Sequence, residues 1–465
     1  MNANTNPDDT DRESREPTPI ERSDALAAAV ARTWIDDRPW AFLTELTAIG
    51  GRMAGSPGER TAATLIADAL EDAGVRDVSI DPFDIQRWRR GSCTLQLAAP
   101  VDRSFEAIAL PYSPPGTVEG ELVDVGYGTP EEIDDAPIEG RIAVASTTTP
   151  HDARFVHRME TFGHALEAGA IGFLFANHVP GQLPPTGSLT FGREAAAVAA
   201  GVSHETGEWL REYAVNTAGP TGRAVLTIDA ETGPGESQNV LGRLGPETDE
   251  ELLVVAHYDG HDIGEGALDN GCGIATVVTA ARILAAAEEE LERGVRICAL
   301  GCEEVGLLGA ERLLETVDLD RVAGVLNVDG AGRYRDLVAM AHTSRATEAA
   351  ASELSAATRQ PIDVQFEPHP FSDQWPFVRA GVPALQLHSD NGERGRGWGH
   401  THADTRDKVD DRNVREHAIL LSLLAIDLAG RELPRLDRDE LVAAFRAADF
   451  EPGMRAAGLW PDAWE

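Results

Sequence analysis

Residues 256–271 read AHYDGHDIGEGALDNG, with two histidines, four acidic residues and four glycines in sixteen positions. The stretch directly follows ELLVV at 251–255, a short apolar run that reads as a buried strand. Charge at the end of a buried strand is costly unless an opposite charge sits among the acids. A cation is what such a loop calls for, and the flanking sequence supplies further donors for one.

From about residue 236 the chain alternates strands and helices. NVLGRLG, ELLVVAHYD, VRICALGCEE, GVLNVDG, LVAMAH and PALQLHS read as strands; GIATVVTAARILAAAEEE and RATEAAASELSAATRQ read as helices. A last helix, VREHAILLSLLAIDLAG, follows. This rhythm predicts an α/β fold with a mostly parallel central sheet flanked by helices. Ligands bind such sheets beyond the C-terminal ends of the strands. His257 and Asp259 end one strand, Glu303 and Glu304 the next, and Asp329 a third. Three acidic strand ends on one edge exceed what solvated loops explain. Imidazole and carboxylate without thiolate favour zinc, with cobalt or manganese as substitutes, over calcium or an iron–sulfur cluster. The cysteines (Cys93, Cys272, Cys298, Cys302) are scattered, without paired spacing.

Five motifs appear in order: HxD at His257–Asp259, GAxDNxxG at 266–273, EExGLLG at 303–309, NxDxxG at 327–332 and HTxxDT at 400–405. In this the chain resembles the M28 family of co-catalytic zinc exopeptidases. The resemblance implies two zinc ions, with Asp269 bridging them. His257 and Asp329 would complete one ion's shell, and Glu304 and His400 the other's. It makes Glu303 the general base and Asp259 the acid that orients the His257 imidazole. It also implies a cis peptide between Asp269 and Asn270. Adjacent side chains of a strand point to opposite faces, so Glu303 and Glu304 can both reach the ions only where the strand has ended. The HTxxDT spacing selects His400 over His402, which is expected at the rim. His261 and Asp262 have no family ligand role and are expected to line the mouth. His388 is a candidate substrate-side group, and Ser372-Asp373 resembles a family motif of unassigned role. The opening stretch most resembles the carboxypeptidase Q branch of the family.

Residues 104–225 change texture to short β-like runs, Pro-rich turns and one helix. GRIAVAS, HALEAGAIGFLFAN, PPTG and AAVAAGVSHETGEWL resemble a protease-associated (PA) domain, expected to cap the cleft. The chain therefore divides into a disordered acidic leader at 1–23, a catalytic domain from 24–103 and 226–465, and the insert at 104–225. Residues 24–48 read as helix, and ERTAATLIADALEDAG as a second helix ending in a glycine stop before the strand VSIDPF.

The chain has 465 residues, 78 Asp+Glu against 40 Lys+Arg and a formal net charge of −38; its one lysine is Lys408. Such a surface repels nucleic acid and anionic membrane, and repels itself unless salt screens it. A halophilic, cytoplasmic protein is expected, since the polar N-terminus has no apolar signal-peptide core. The expected partner is a small peptide, and a homodimer is a candidate assembly. The leading function is removal of N-terminal residues or cleavage of dipeptides. Alternatives are a carboxypeptidase of the same family and a cyclase resembling the glutaminyl cyclases. A receptor of the transferrin-receptor type shares insert and fold, but it would have lost the ligands retained here.

Overall fold

The computed structural model describes residues 22–465 apart from 152, 215–220, 391 and 393–396. The leader assigned to 1–23 lies outside these residues through position 21. The region 24–48 forms two helices rather than one, Asp24–Thr33 and Arg38–Ala48. Pro39 is the reason. Lacking an N–H, it is tolerated in the first turn of the second helix but would break a continuous one. The helix Pro57–Ala73 starts at Ser56, whose hydroxyl accepts from the Glu59 N–H, and stops at Gly74 with φ 94°.

The catalytic sheet runs, in spatial order, through Ile362–Gln365, Leu337–Met340, Ala384–Ser389, Val322–Val328, Glu251–His257, Gly294–Leu300 and the C-terminal half of Arg223–Leu244. The central four strands, from Ala384–Ser389 to Gly294–Leu300, are parallel, and the strands on either side of them join antiparallel. The parallel order brings the ends of Glu251–His257, Gly294–Leu300 and Val322–Val328 side by side, as the acidic motifs require. Helix Cys272–Ala286 is apolar nearly all round and buried. It lies between the sheet and helices that include Asp411–Gly430.

The long partner strand Arg76–Ala99 pairs with Arg223–Leu244 from Arg76↔Arg243 to Ala99↔Arg223. At about 3.3 Å per residue this ribbon is roughly 80 Å long. Near Leu244 it pairs with Gly294–Leu300, and near Ile228 it pairs with Gly116–Asp124. The ribbon therefore crosses the position 225/226, ends at Ala99 short of 103/104, and carries the catalytic sheet into that of the insert. Among its described residues the insert has three helices, Pro130–Asp135, Arg158–Glu167 and His204–Glu212, where one was expected. Pro130 and the Thr129 capping box start the first of these, and Ser203 caps the third.

Asp411–Gly430 is not the last helix. Arg438–Ala447 and Glu451–Ala457 follow, packed with Trp375, Phe445, Trp460 and Trp464 in an aromatic cluster. Glu451–Ala457 also lies on the insert helix Arg158–Glu167. A Cβ at Gly163 would stand 2.3 Å from the Ala456 carbonyl oxygen, so glycine permits this approach. The C-terminus thus straps the insert to the catalytic body.

Glu59, fully buried beneath the site, accepts from Gly55 N at 2.7 Å and from Ser237 Oγ at 2.8 Å. Burial, with the charge of Asp259 adding to it, pushes its pKa up to about 8. An acid whose pKa is higher folded than unfolded takes up a proton on folding between the two values, so stability falls as pH rises through that window. In Glu59→Gln one amide oxygen can accept from Gly55 and the NH₂ can donate to Ser237. The metal-free variant is expected to gain on the wild type by on the order of a few kcal/mol between about pH 5 and pH 8. Urea unfolding at both pH values checks this; a difference between the two proteins that does not change with pH refutes it.

Candidate metal centre

The opening stretch turns immediately after the strand Glu251–His257. Arg52, buried, holds the turn by donating from Nε to the Tyr258 carbonyl at 2.9 Å, from Nη1 to Glu265 O at 2.7 Å and from Nη2 to Gly266 O at 2.9 Å. Asp404 holds the next segment. Its two carboxylate oxygens accept from Leu268 N at 2.6 Å and Asp269 N at 3.1 Å. Asn270 ties it to the neighbouring strand end, donating to Val328 O at 2.8 Å and accepting from Gly330 N at 2.9 Å. The Asp269–Asn270 peptide is cis.

The strand Gly294–Leu300 ends before the paired glutamates, and Cys302 takes φ 60°. Both following N–H groups donate to one carboxylate, Glu303 N to Asp259 Oδ1 at 3.1 Å and Glu304 N to Asp259 Oδ2 at 3.2 Å. That turn lets both glutamates face the same centre. Asp259 Oδ1 also lies 3.4 Å from His257 Nδ1. One buried acid thus positions three of the groups picked out by their motifs. Asp329 accepts from Ser372 Oγ at 2.8 Å, and Asn327 donates to the same hydroxyl at 2.8 Å.

Two donor clusters result, His257 with Asp269 and Asp329, and His261 with Glu304 and His400; in each, the ligand atoms lie within 4.8 Å of one another. Asp269 faces both. Its Oδ1 is 3.5 Å from His257 Nε2, and its Oδ2 is 3.2 Å from His400 Nε2. Glu303 Oε2 stands 3.9 Å from His257 Nε2. Neither His257 nitrogen has a hydrogen bond, although the residue is 1% exposed. Buried nitrogens without such partners, ringed by carboxylates, are the donor set a divalent cation satisfies.

The protein's own charges push the paired glutamates apart. Burial, joined by Asp329 and Glu304 and opposed by His257, raises the pKa of Glu303 well above the usual range. Burial would raise Glu304 too, but His261 and His400 reverse it and hold Glu304 well below. Asp269 is likewise held low against burial, by Arg333 and the His257 and His400 imidazoles. Neighbouring titratable groups driven in opposite directions are the arrangement of acid–base sites.

All seven residues given roles by their motifs converge here. His261, expected only at the mouth, is buried inside the second cluster, because the tight GHDIGEG turn folds it inward. Asp262 faces away and pairs with Arg90 at 2.6 Å. His402 is exposed, and His388 lines the cleft. Asp373 is buried beside Ser372 with neither oxygen hydrogen-bonded, and burial pushes its pKa up to about 8.

Several participants were not apparent in the sequence. Arg333, which directly follows the NxDxxG motif, lies 3.4 Å from Asp269 Oδ1, and that adjacency was the only sequence signal for it. The insert reaches the centre through Thr186, whose carbonyl lies 3.2 Å from His400 Nδ1 and whose N–H donates to the His400 carbonyl at 2.8 Å. It also brings Phe155, His157, Arg158 and Met159 to the cleft, with His157 stacked on Phe371 at 4.2 Å between ring centroids. No spacing rule predicts contacts across 200 residues of chain.

Imidazoles and carboxylates gathered at the strand ends of an α/β sheet, with an acid of raised pKa beside them, define a metallohydrolase. Residues 239–425 match peptidase family M28, and residues 118–210 match the PA domain. Aminopeptidase YwaD of Bacillus subtilis is 26% identical over 83% of this chain and 83% of its own. Carboxypeptidase Q of Mus musculus is 23% identical over 83% of this chain and 85% of its own. The solved structure of BSAP, a zinc aminopeptidase from Bacillus subtilis, superposes with a TM-score of 0.64 at 24% identity, covering 83% of this chain and 93% of that one. The chain carries a family M28 peptidase domain and a PA domain over those residues, and is a hydrolase. No helix among the described residues is long and apolar enough to cross a membrane.

Proposed function

We propose that this protein is a two-zinc aminopeptidase that cleaves the N-terminal residue from short peptides, dipeptides included, in a high-salt cytoplasm. The observation that carries the reading is Asp269, whose two oxygens face two separate donor clusters. His257 and Asp329 would hold one ion, and Glu304 and His400 the other, with Asp269 between. When bound, such a pair polarises a peptide carbonyl and makes water a nucleophile near neutral pH. Cobalt or manganese fits the same nitrogen and oxygen donors.

The remaining chemistry belongs to the chain. Glu303 Oε2 takes the proton of the attacking water and returns it to the leaving amine, a role its raised pKa suits. Asp259 keeps Glu303, Glu304 and His257 in register. The substrate side chain enters a cleft of about 420 Å³ whose walls include Phe155, Met159, Phe191, Leu307, Met340 and Phe371. Apolar walls favour an apolar or aromatic first residue. The insert supplies Phe155, Met159 and Phe191, which limits the cleft to short chains.

An unblocked dipeptide or aminoacyl anilide is expected to be cleaved, and its N-acetylated counterpart to lose most of its kcat/KM. The acyl cap removes the free amine and occupies space beside the donors. Two substrates differing only in the acetyl group, at equal zinc and salt, make the comparison. Equal rates overturn the aminopeptidase assignment.

A further inference from the structure

His261 is 6% exposed, and its Nε2 lies 2.9 Å from Glu304 Oε2. Neither of its ring nitrogens is aligned for a hydrogen bond, despite that proximity. Its ring stands edge-on to that of His400, with 4.5 Å between centroids. His400 Nε2 is in turn 3.0 Å from the same Glu304 oxygen. Two imidazole nitrogens approach one carboxylate oxygen, and the His261 nitrogen, close without a hydrogen-bond direction, converges on it as a ligand atom does around a shared cation. A charged partner elsewhere does not explain the inward turn. Asp262, the next residue, takes Arg90, and His261 faces only the cluster.

We propose that His261 is a fourth side-chain ligand of the ion assigned to Glu304, His400 and the shared Asp269. With Asp269 Oδ2, that ion has four protein donors, two imidazoles and two carboxylates. The His257, Asp329 and Asp269 Oδ1 set has three. Four-coordinate zinc with four protein ligands is the closed, structural arrangement, and three protein ligands leave a position open. The two ions are thereby unequal. The His261 ion is the tighter-held anchor, and the open position falls on the His257 side, next to Glu303. The proposal rests on the two-ion reading given above.

Zinc is titrated into the metal-free full-length protein and its His261→Gln variant against a competing chelator, with bound metal counted. The wild type is expected to hold two ions. His261→Gln is expected to weaken one of them by more than about 100-fold and leave the other unchanged, beyond the roughly 10–100-fold effect of losing an outer-shell partner. X-ray absorption of the two-zinc wild type gives a second readout that needs no variant to fold. Three imidazoles over two ions are expected, against two if His257 and His400 act alone. Two ions with unaltered affinity in the variant, or two imidazoles in the absorption spectrum, overturn the assignment of His261. Fewer than two ions in the wild type overturn the two-ion reading itself and take this proposal with it.

Discussion

Glu303→Gln is expected to lower kcat by about 10²–10⁴-fold while the protein keeps its full zinc content, the range a positioned general base contributes. The two glutamates are adjacent in sequence but differ in setting. Glu304 is 4% exposed and in contact with His261 and His400. Glu303 is half-buried, has an oxygen 3.9 Å from His257 Nε2 and faces the cleft. Burial and the surrounding carboxylates raise the pKa of Glu303, while the imidazoles hold that of Glu304 low. The glutamine amide has nearly the shape of the carboxylate it replaces, and the Glu303 backbone N–H that anchors the turn to Asp259 is untouched. The loss therefore falls on proton transfer and not on the donor set. Metal analysis beside steady-state kinetics on a free dipeptide checks it. Lost zinc with turnover retained would exchange the roles of Glu303 and Glu304.

The thermal midpoint is expected to rise by tens of degrees as KCl goes from about 0.1 M to about 3 M, while screening shortens from about 10 Å to below about 3 Å. The formal charge of −38 comes from 78 acids and only 40 cations other than histidine. At low salt those carboxylates repel one another, which favours expansion over the compact state. Arginine makes nearly every ion pair to a carboxylate on the described surface, and Lys408 makes the one lysine pair. Against 78 acids the 40 such cations cannot neutralise the surface, so bulk cations must screen it. Calorimetry across the salt series is the measurement, and a flat midpoint refutes a halophilic setting.

Much of the site was legible because metal chemistry is local in sequence. A strand end followed by HYD, a turn carrying ALDN and a pair of glutamates after an apolar run each announce donors on one sheet edge. Strand and helix periodicity gave the parallel centre of the sheet, since buried parallel strands must be nearly continuously apolar. Local pattern failed where a single residue overrode it. Pro39 split the first helical region, and the glycine-rich turn swung His261 from the expected mouth into the cluster.

The sequence by itself determined the α/β alternation, the kind of donor and the strand ends that bear them, because periodicity and residue chemistry are properties of short stretches. Only the tertiary structure decided which donors gather into one cluster and that Asp259 aligns both glutamates. It alone revealed that Arg52 and Asp404 brace the bridging loop, and that Thr186 of the insert clasps His400. Those contacts join residues as far apart as 214 positions. They depend on a continuous ribbon and on the packing of the C-terminal helices against the insert. No local pattern encodes that packing, because its free energy arises only when the distant surfaces meet.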